Sequence, residues 1–400
     1  MTQFQPRPYQ TDAINAGVNH LLHGKGNGII IAPTGSGKSI IIAGIADKLE
    51  GPVLVFQPSL EILMQNYHKM RSFGYLPAIF SASAGRKQIA HITFATIGSV
   101  ANRMDAFKHF EHILIDEAHL ASTDASETMY GRFLEVMGKP RLIGLTATPW
   151  KLGSNSFGST NKFLTRMRGK LWNEVIHCTQ IQELKKQGFL ADLEYFRTKG
   201  IDPAQLVLNS NGSDYTDASI RAAFKEEDMT AKIVNITERL VKAGRKSTLV
   251  FTKFVEEAGI VASYIKGAEM VCGETSKKER DRILTHFKNG SIPVVTNVGV
   301  ATTGFDHPAL DTIVLARPTL SLSLYYQMTG RGLRVAPGKK SCYIVDMVGL
   351  VNRFGHVEDF VMDKDYKGLW SVKSGGKQLT NVIIAPLRSM HNRHFDMAAQ

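Results

Sequence analysis

The chain has 400 residues, 43% of them hydrophobic and 21% charged, long enough for two domains with separate cores and too well mixed for extensive disorder. Lys and Arg outnumber Asp and Glu by 48 to 36, a formal charge of +12; this favours phosphate backbones or anionic surfaces as partners, although a merely basic soluble protein would show the same excess. Cys178, Cys272 and Cys342 draw neither a disulfide framework nor a zinc site, the first ten residues lack an apolar signal core, and no run approaches the roughly 18 apolar residues of a membrane span, so a reducing, intracellular location is expected, cytoplasmic or nuclear.

From Gly28 to about Trp150, short β-branched runs alternate with helical stretches: GIIIAP, then Ser39 to Leu49; VLVFQP, then Leu60 to Ser72; ITFAT; HILIDE; RLIGLTATP. A second series starts near Ser247 with STLVFT, AEMVC, IPVVTN, TIVLAR and KSCYIVD, with helices to Ile265 and over Ser276 to Lys288. This rhythm predicts an α/β chain of two parallel-sheet lobes in tandem, over 1–150 and 232–349. Between them 151–231 is read as an accessory segment with loop-like stretches at Gly153 to Asn161 and Asn209 to Ser213. Residues 350–400 are read as a tail packed on the second lobe. In KFLTRMRGKLW (Lys162 to Trp172), Arg166 and Arg168 lie among aromatics, which suits phosphate neutralisation and base stacking. A solvated helix face with Phe163 and Trp172 in the core accounts for the pattern equally well.

APTGSGKS (Ala32 to Ser39) sits between an apolar strand run and a helical stretch, the order a phosphate-binding loop requires. Gly35 and Gly37 permit conformations and close approach that a Cβ would hinder, and with Pro33, Thr34 and Ser36 they form the cradle. Lys38 would neutralise the β- and γ-phosphates of ATP, and Ser39 would ligate Mg²⁺. Upstream, RPYQ offers Arg7 and an amide on Gln10 suited to an adenine edge. HILIDEAH ends a buried-strand run in two carboxylates that repel unless a cation lies between them. Asp116 would hold the Mg²⁺ and Glu117 would take a proton from the attacking water. His119 has no second ligand at metal spacing and reads better as a hydrogen-bonding relay. Thr146 and Thr148 of LTATP are suited to link the acidic pair to the other lobe, although a capped turn would look the same.

In the second half, ATTGFD places Gly304 and Asp306 after a strand, where the carboxylate could meet ribose hydroxyls or hold an arginine. QMTGRGLR brings Gln327, Arg331 and Arg334 together. The two arginines, three residues apart, share a helical face and could point at one γ-phosphate, so hydrolysis would require the lobes to close. Loops at strand ends in both lobes are rich in hydroxyl and amide groups, which makes Gln57, Pro58, Thr96, Thr146, Thr252, Lys253 and Thr296 candidate backbone contacts for nucleic acid; strand caps explain any one of them as well.

Taken in order, RPYQ, APTGSGKS, VFQPSLEILMQ, TFATIGS, DEAH, TATP, LVFTKF, ATTGFD and QMTGRGLR resemble the full motif series of the superfamily 2 helicases, over Arg7 to Arg334. The tone is similar to DEAH-type DNA helicases of the XPB, RadD and UvsW kind. The resemblance implies two RecA-like lobes, ATP and Mg²⁺ in the cleft between them, and one nucleic-acid strand tracked across their top. It implies Gln10 on adenine, Lys38 and Ser39 on phosphate and metal, Asp116 and Glu117 in hydrolysis, and Arg331 and Arg334 as sensor and finger. No cysteine cluster of the kind some relatives use for zinc is present, and ELKK at Glu183 lacks a partner acid for a nuclease. The expected activity is that of an ATP-dependent helicase or translocase on forked or branched DNA, in repair, recombination or replication. An RNA helicase is the alternative on the same motifs. A non-motor scaffold on a decayed fold is the alternative of another class, and the retention of Lys38, Glu117 and both arginines argues against it.

Overall fold

The first apolar series becomes strands buried on both faces, as parallel sheets covered by helices require. The computed structural model describes residues 5–121, 128–155, 157–167, 169–300 and 305–386. The first half supplies β1 (Gly28–Ile31), β2 (Val53–Phe56), β3 (Ala78–Ser81), β4 (Arg86–Lys87), β5 (Ile92–Ala95), β6 (His112–Asp116) and β7 (Leu142–Thr146). The middle adds β8 (Trp150–Asn155), β9 (Gly158–Phe163), β10 (Glu174–Cys178) and β11 (Asp192–Arg197). The second half contributes β12 (Thr248–Thr252), β13 (Glu269–Val271), β14 (Val294–Asn297), β15 (Thr312–Ala316) and β16 (Ser341–Asp346), and the tail β17 (Phe360–Lys364), β18 (Trp370–Ser374), β19 (Lys377–Gln378) and β20 (Ile383–Pro386).

Two sheets result. The first runs β10-β1-β7-β6-β2-β5-β3-β4 and is parallel apart from the short β3–β4 pairing. The second runs β11-β16-β15-β12-β14-β13, parallel throughout. Helices α1 (Pro8–His23), α2 (Lys38–Lys48) and α3 (Leu60–Ser72) serve the first sheet. On α3 the buried positions Ile62, Leu63, Asn66, Tyr67 and Met70 follow helical spacing. The Cα directions of β1, β7 and β6 bring the ends of all three strands to one edge, where the chemistry of the first half collects. Among the described residues, no helix is long and apolar enough to cross a membrane.

The middle segment departs from its loop-like reading. Gly153 to Asn161 falls in the antiparallel hairpin β8–β9, and 151–231 as a whole gives one strand to each main sheet, β10 pairing with β1 and β11 with β16. The hairpin is hidden in the sequence because Ser159, Thr160 and Asn161, successive buried positions of β9, are polar. Buried Asn161 donates to the carbonyl of Leu320 at 3.1 Å and accepts from the amide of Leu322 at 3.2 Å, doing with hydrogen bonds what an apolar residue would do by packing. The tail also reaches beyond the second half. Phe360 lies near Tyr326, ring centroids 6.2 Å apart, while β20 pairs with β9 and Trp370 stacks on Phe163 at 6.3 Å.

Phe163 and Trp172 are fully buried, which decides between stacking platform and core in favour of the core. The indole of Trp172 packs beneath Gly144 of β7, where a Cβ would come within 2.5 Å of the ring. Its Nε1 donates to the carbonyl of Ala118 at 3.2 Å, so this one side chain supports the segment that carries Asp116 to His119. Trp172→Ala is expected to cost about 3–5 kcal/mol in denaturant unfolding, with Trp172→Phe recovering most of it; a loss within about 0.5 kcal/mol, the range of surface changes, would contradict the placement.

Candidate nucleotide site

β1 ends at Ile31, and the loop that follows is the phosphate loop of the sequence reading. Gly35 and Gly37 have φ of +85° and +82°, left-handed values that favour glycine. A Cβ on Gly37 would come within 2.6 Å of the Gln10 amide nitrogen, and one on Gly35 within 3.1 Å of Leu190. Helix α2 begins at Lys38, so its positive end faces whatever the loop holds. The start of α1 braces the loop from below: the hydroxyl of Tyr9 and the Nε2 of Gln10 both donate to the carbonyl of Ser36 at 2.7 Å. Gln10 also accepts from the Arg7 amide at 2.8 Å and is buried. Its amide thus ties the start of α1 to the loop. Arg7 itself lines the cleft, its guanidinium 3.9 Å from the ring centroid of Phe189.

At the end of β6, Glu117 takes φ +50°, a backbone state that costs a non-glycine residue on the order of 1–3 kcal/mol and is found where function holds it in place. The turn aims its carboxylate at Lys38, Nζ to Oε1 3.2 Å. Asp116 accepts from the Glu117 amide and from Nδ2 of Asn66, both at 2.9 Å. Burial, and then the neighbouring Glu117 charge, push the Asp116 carboxyl up to about 6. For Glu117 burial acts upward too, but Lys38, His119 and Arg331 together outweigh it and hold the group below its ordinary value. One carboxylate of the pair is thereby kept ionised beside the cation, the condition a proton acceptor needs.

His119 is buried, and burial lowers its pKa. Its Nδ1 lies 2.9 Å from the hydroxyl of Thr146 and its Nε2 3.1 Å from the amide nitrogen of Gln327, in the second half. Because the Gln327 nitrogen donates, Nε2 accepts and Nδ1 carries the proton. Thr146 Oγ1 also receives the amide of Thr148 at 3.0 Å. Histidine, threonine and second half thus form one hydrogen-bonded chain, and His119 Nδ1 also lies 3.4 Å from Glu117 Oε2. A further tie runs from the Thr34 amide to the hydroxyl of Tyr326 at 3.3 Å.

Across the cleft, Arg331 and Arg334 both donate to the carbonyl of Phe305, and Arg334 pairs with Asp306 at 2.9 Å. Burial and Arg334 bring Arg331 down to about 9, still cationic at neutral pH. Its buried Nε has no hydrogen-bond partner among the described residues. A cleft of about 370 Å³ is lined by the phosphate loop, Lys38, Ser39, Asp116, Glu117, Asp306, Gln327, Arg331 and Arg334. Lys38, a glycine cradle, a helix N-terminus and a buried guanidinium with a spare donor fit a polyphosphate. The Ser39 hydroxyl and the Asp116 carboxylate, hard oxygens both bonded to the amide of Asn66, fit Mg²⁺.

Of the described residues assigned to the nucleotide and its hydrolysis, all but Gln10, Ser36 and His119 line the cleft, and Gln10 braces the loop at the Ser36 carbonyl; Gly304 lies outside the described residues, as does Arg168. The candidate nucleic-acid contacts fare differently. Gln57, Thr146, Thr252 and Thr296 are buried, and their polar atoms serve the interior: Gln57 accepts from Asn66, Thr296 donates to the carbonyl of Ala258, and Thr252 to that of Phe254. Strand ends and the helices that cover them have carbonyls to satisfy, and Thr252 and Thr296 each satisfy one. Arg166 is paired with Asp365 of the tail at 3.4 Å and Lys253 with Asp217 at 3.3 Å. Pro58 and Thr96 remain half-buried at the sheet edge. Sequence reasoning missed Asn66, Phe189 and Tyr326. Only Asn66 left a signal, a polar residue at a buried position of the apolar stripe of α3.

From this geometry, Lys38→Ala is expected to abolish measurable ATP binding, whereas Arg331→Ala should leave ATP affinity within a few-fold and lower kcat by about 10³ or more, because its charge is needed most as the γ-phosphate transfers. Equal losses in affinity and rate on Arg331→Ala would remove it from that role.

Residues 3–151 match the family described as "Type III restriction enzyme, res subunit" and residues 231–336 the "Helicase conserved C-terminal domain". The chain is 28% identical to a "51.5 kDa protein" of a Lactococcus phage over 90% of this chain and 74% of that one. It is 26% identical to the "Putative ATP-dependent helicase IRC3" of Saccharomyces cerevisiae over 86% of this chain and 51% of that one, so it spans about half of the yeast protein. It is 21% identical to the "DNA 3'-5' translocase XPB2" of Sulfurisphaera tokodaii, over 82% and 78% of the two chains. Among solved structures, a fragment of a putative HsdR subunit of a type I restriction enzyme from Vibrio vulnificus shares the fold with TM-score 0.67 at 21% identity, over 94% of this chain and 70% of that one. With a family match on each half and relatives that run through both, the chain belongs to the superfamily 2 helicases, a class of ATP-using enzymes that act on nucleic acid.

Proposed function

We propose that this chain is an ATP-driven motor that translocates on DNA and remodels forked or branched duplexes. The observation that carries the reading is the shared cleft: Lys38 and Glu117 from one half and Arg331 and Arg334 from the other line the same space. Neither half alone holds both the phosphate cradle and the arginines, so binding between them couples the state of the nucleotide to the separation of the halves. The similarity to a DNA translocase of Sulfurisphaera tokodaii favours DNA, and the net charge of +12 suits a phosphate backbone.

In this reading Lys38 exchanges Glu117 for the phosphates when ATP enters, which frees the Glu117 carboxylate. That carboxylate accepts a proton from water as the water oxygen bonds to the γ-phosphorus, and the bond from phosphorus to the bridging oxygen of ADP breaks. Bound Mg²⁺, held from Ser39 and Asp116, would offset charge on the β- and γ-oxygens. Arg331 turns from the Phe305 carbonyl to the transferring group, stabilising charge that builds in the transition state. His119 and Gln327 pass the change to the second half. Backbone phosphates would be met by the edge at Pro58 and Ser59, by Thr96 to Ser99 and by Lys253, contacts that do not read bases.

Steady-state ATP hydrolysis with single-stranded, duplex, forked and four-way-junction DNA and a matched RNA tests the reading. Stimulation greatest with forks or junctions is expected, and stimulation by RNA alone would overturn the substrate while keeping the motor. DNA affinity should fall steeply as salt rises from about 50 to 200 mM, since phosphate contacts release counterions; a flat response would rule out a phosphate-tracking surface.

A further inference from the structure

We propose that Asn66 is a positioning residue that couples the loop after β2 to the oxygens that hold the metal, so that nucleic acid on the outside of that loop sets the affinity of the nucleotide site. The inference rests on the motor reading above. Asn66 is 5% exposed and every polar atom of its side chain is used. Oδ1 accepts from the Ser39 hydroxyl at 2.5 Å, and Nδ2 donates to Asp116 Oδ2 at 2.9 Å and to Gln57 Oε1 at 3.0 Å. Those partners fix which way the amide points, because the nitrogen faces two acceptors. One planar group therefore spans the hydroxyl and the carboxylate assigned to Mg²⁺, and it allows them little freedom relative to one another.

The third bond gives the arrangement a direction. Gln57 begins the loop Gln57 to Ser59, and its side chain turns inward while Pro58 and Ser59 stay half-buried at the edge. Ser59 caps α3, accepting from the Ile62 amide at 3.3 Å, and Asn66 sits on that same helix. The Gln57 amide donates to the carbonyl of Ala95 at 2.9 Å, which joins this loop to the one that starts at Thr96. A shift of the outer loop under a docked phosphate is thus felt at Asn66 by two routes, through the Gln57 side chain and through α3. A leucine at 66 would complete the apolar stripe of α3; an amide there instead leaves three polar partners that depend on it. If Asn66 only satisfied its neighbours, its loss would lower stability without altering how one ligand affects the other.

Equilibrium coupling distinguishes these roles. The affinity of the full chain for Mg²⁺ adenylyl imidodiphosphate, which is not hydrolysed, is measured by fluorescence titration with and without a single-stranded DNA oligonucleotide. The ratio of the two affinities is the coupling factor, normally about 5–150-fold for linked sites. In the unmodified chain DNA is expected to tighten the analogue, and in Asn66→Ala the factor should fall at least about fivefold toward unity. Gln57→Leu, which leaves the Ser39–Asn66–Asp116 contacts in place, should lose coupling likewise, and it carries the test if Asn66→Ala does not fold. Coupling factors of both variants within about twofold of the unmodified chain would overturn the inference and leave the motor reading standing. An unmodified chain with no coupling at all would overturn both.

Discussion

Placing Lys38, Asp116, Glu117, Asp306, Arg331 and Arg334 around one cleft is the constraint to which the rest of the structure answers. Burying charges is expensive, and pairing returns only part of the cost, so a fold selected for stability alone would place apolar groups there. Here Lys38 is balanced by Glu117 and Arg334 by Asp306. Arg331 has a carbonyl and one buried nitrogen without a partner among the described residues. Of these six groups, the first half sets one cation beside two carboxylates and the second two cations beside one, and an added polyphosphate gives the cations of both halves a common partner. The left-handed backbone at Glu117 belongs to the same economy, since it holds the carboxylate on Lys38.

The two halves are joined by contacts of opposite character. Across the cleft they meet through single polar bonds, His119 to Gln327 and Thr34 to Tyr326, weak enough to exchange as the cleft changes. Beside it the tail ties the middle segment to the second half by packing and strand pairing: β20 on β9, Trp370 on Phe163 and Phe360 beside Tyr326. Apolar packing of this kind is lost all at once and not by degrees, so motion between the halves has to be accommodated at the polar seam. The tail is therefore part of the frame beside the cleft.

Much of this was legible in the sequence where one residue type has one physical reason to be there. The continuous apolar runs predicted β1, β2, β5, β6 and β7 and their counterparts β12 to β16, because strands buried on both faces have no other composition. Gly35 and Gly37 were readable because the loop's left-handed backbone favours glycine, and the two arginines because a cation on a motif helix has few uses. The polar threonines and glutamines misled, since Thr146, Thr252, Thr296 and Gln57 look the same whether they satisfy a buried carbonyl or a phosphate outside. The β8–β9 hairpin escaped for the complementary reason, successive buried positions of β9 being Ser, Thr and Asn. Phe189 and Tyr326 reach the cleft only through tertiary folding, and no local pattern announces them.

The central claim is that ATP replaces internal ion pairs with a bridge between the halves, and a structure with Mg²⁺ and a non-hydrolysable ATP analogue tests it most directly. The account predicts the γ-phosphate within hydrogen-bond reach of both Lys38 and Arg331, with Lys38 withdrawn from its 3.2 Å contact to Glu117 and the guanidinium of Arg331 turned from Phe305. A γ-phosphate held by the first half alone, with Lys38 still on Glu117 and Arg331 still on the Phe305 carbonyl, would contradict it.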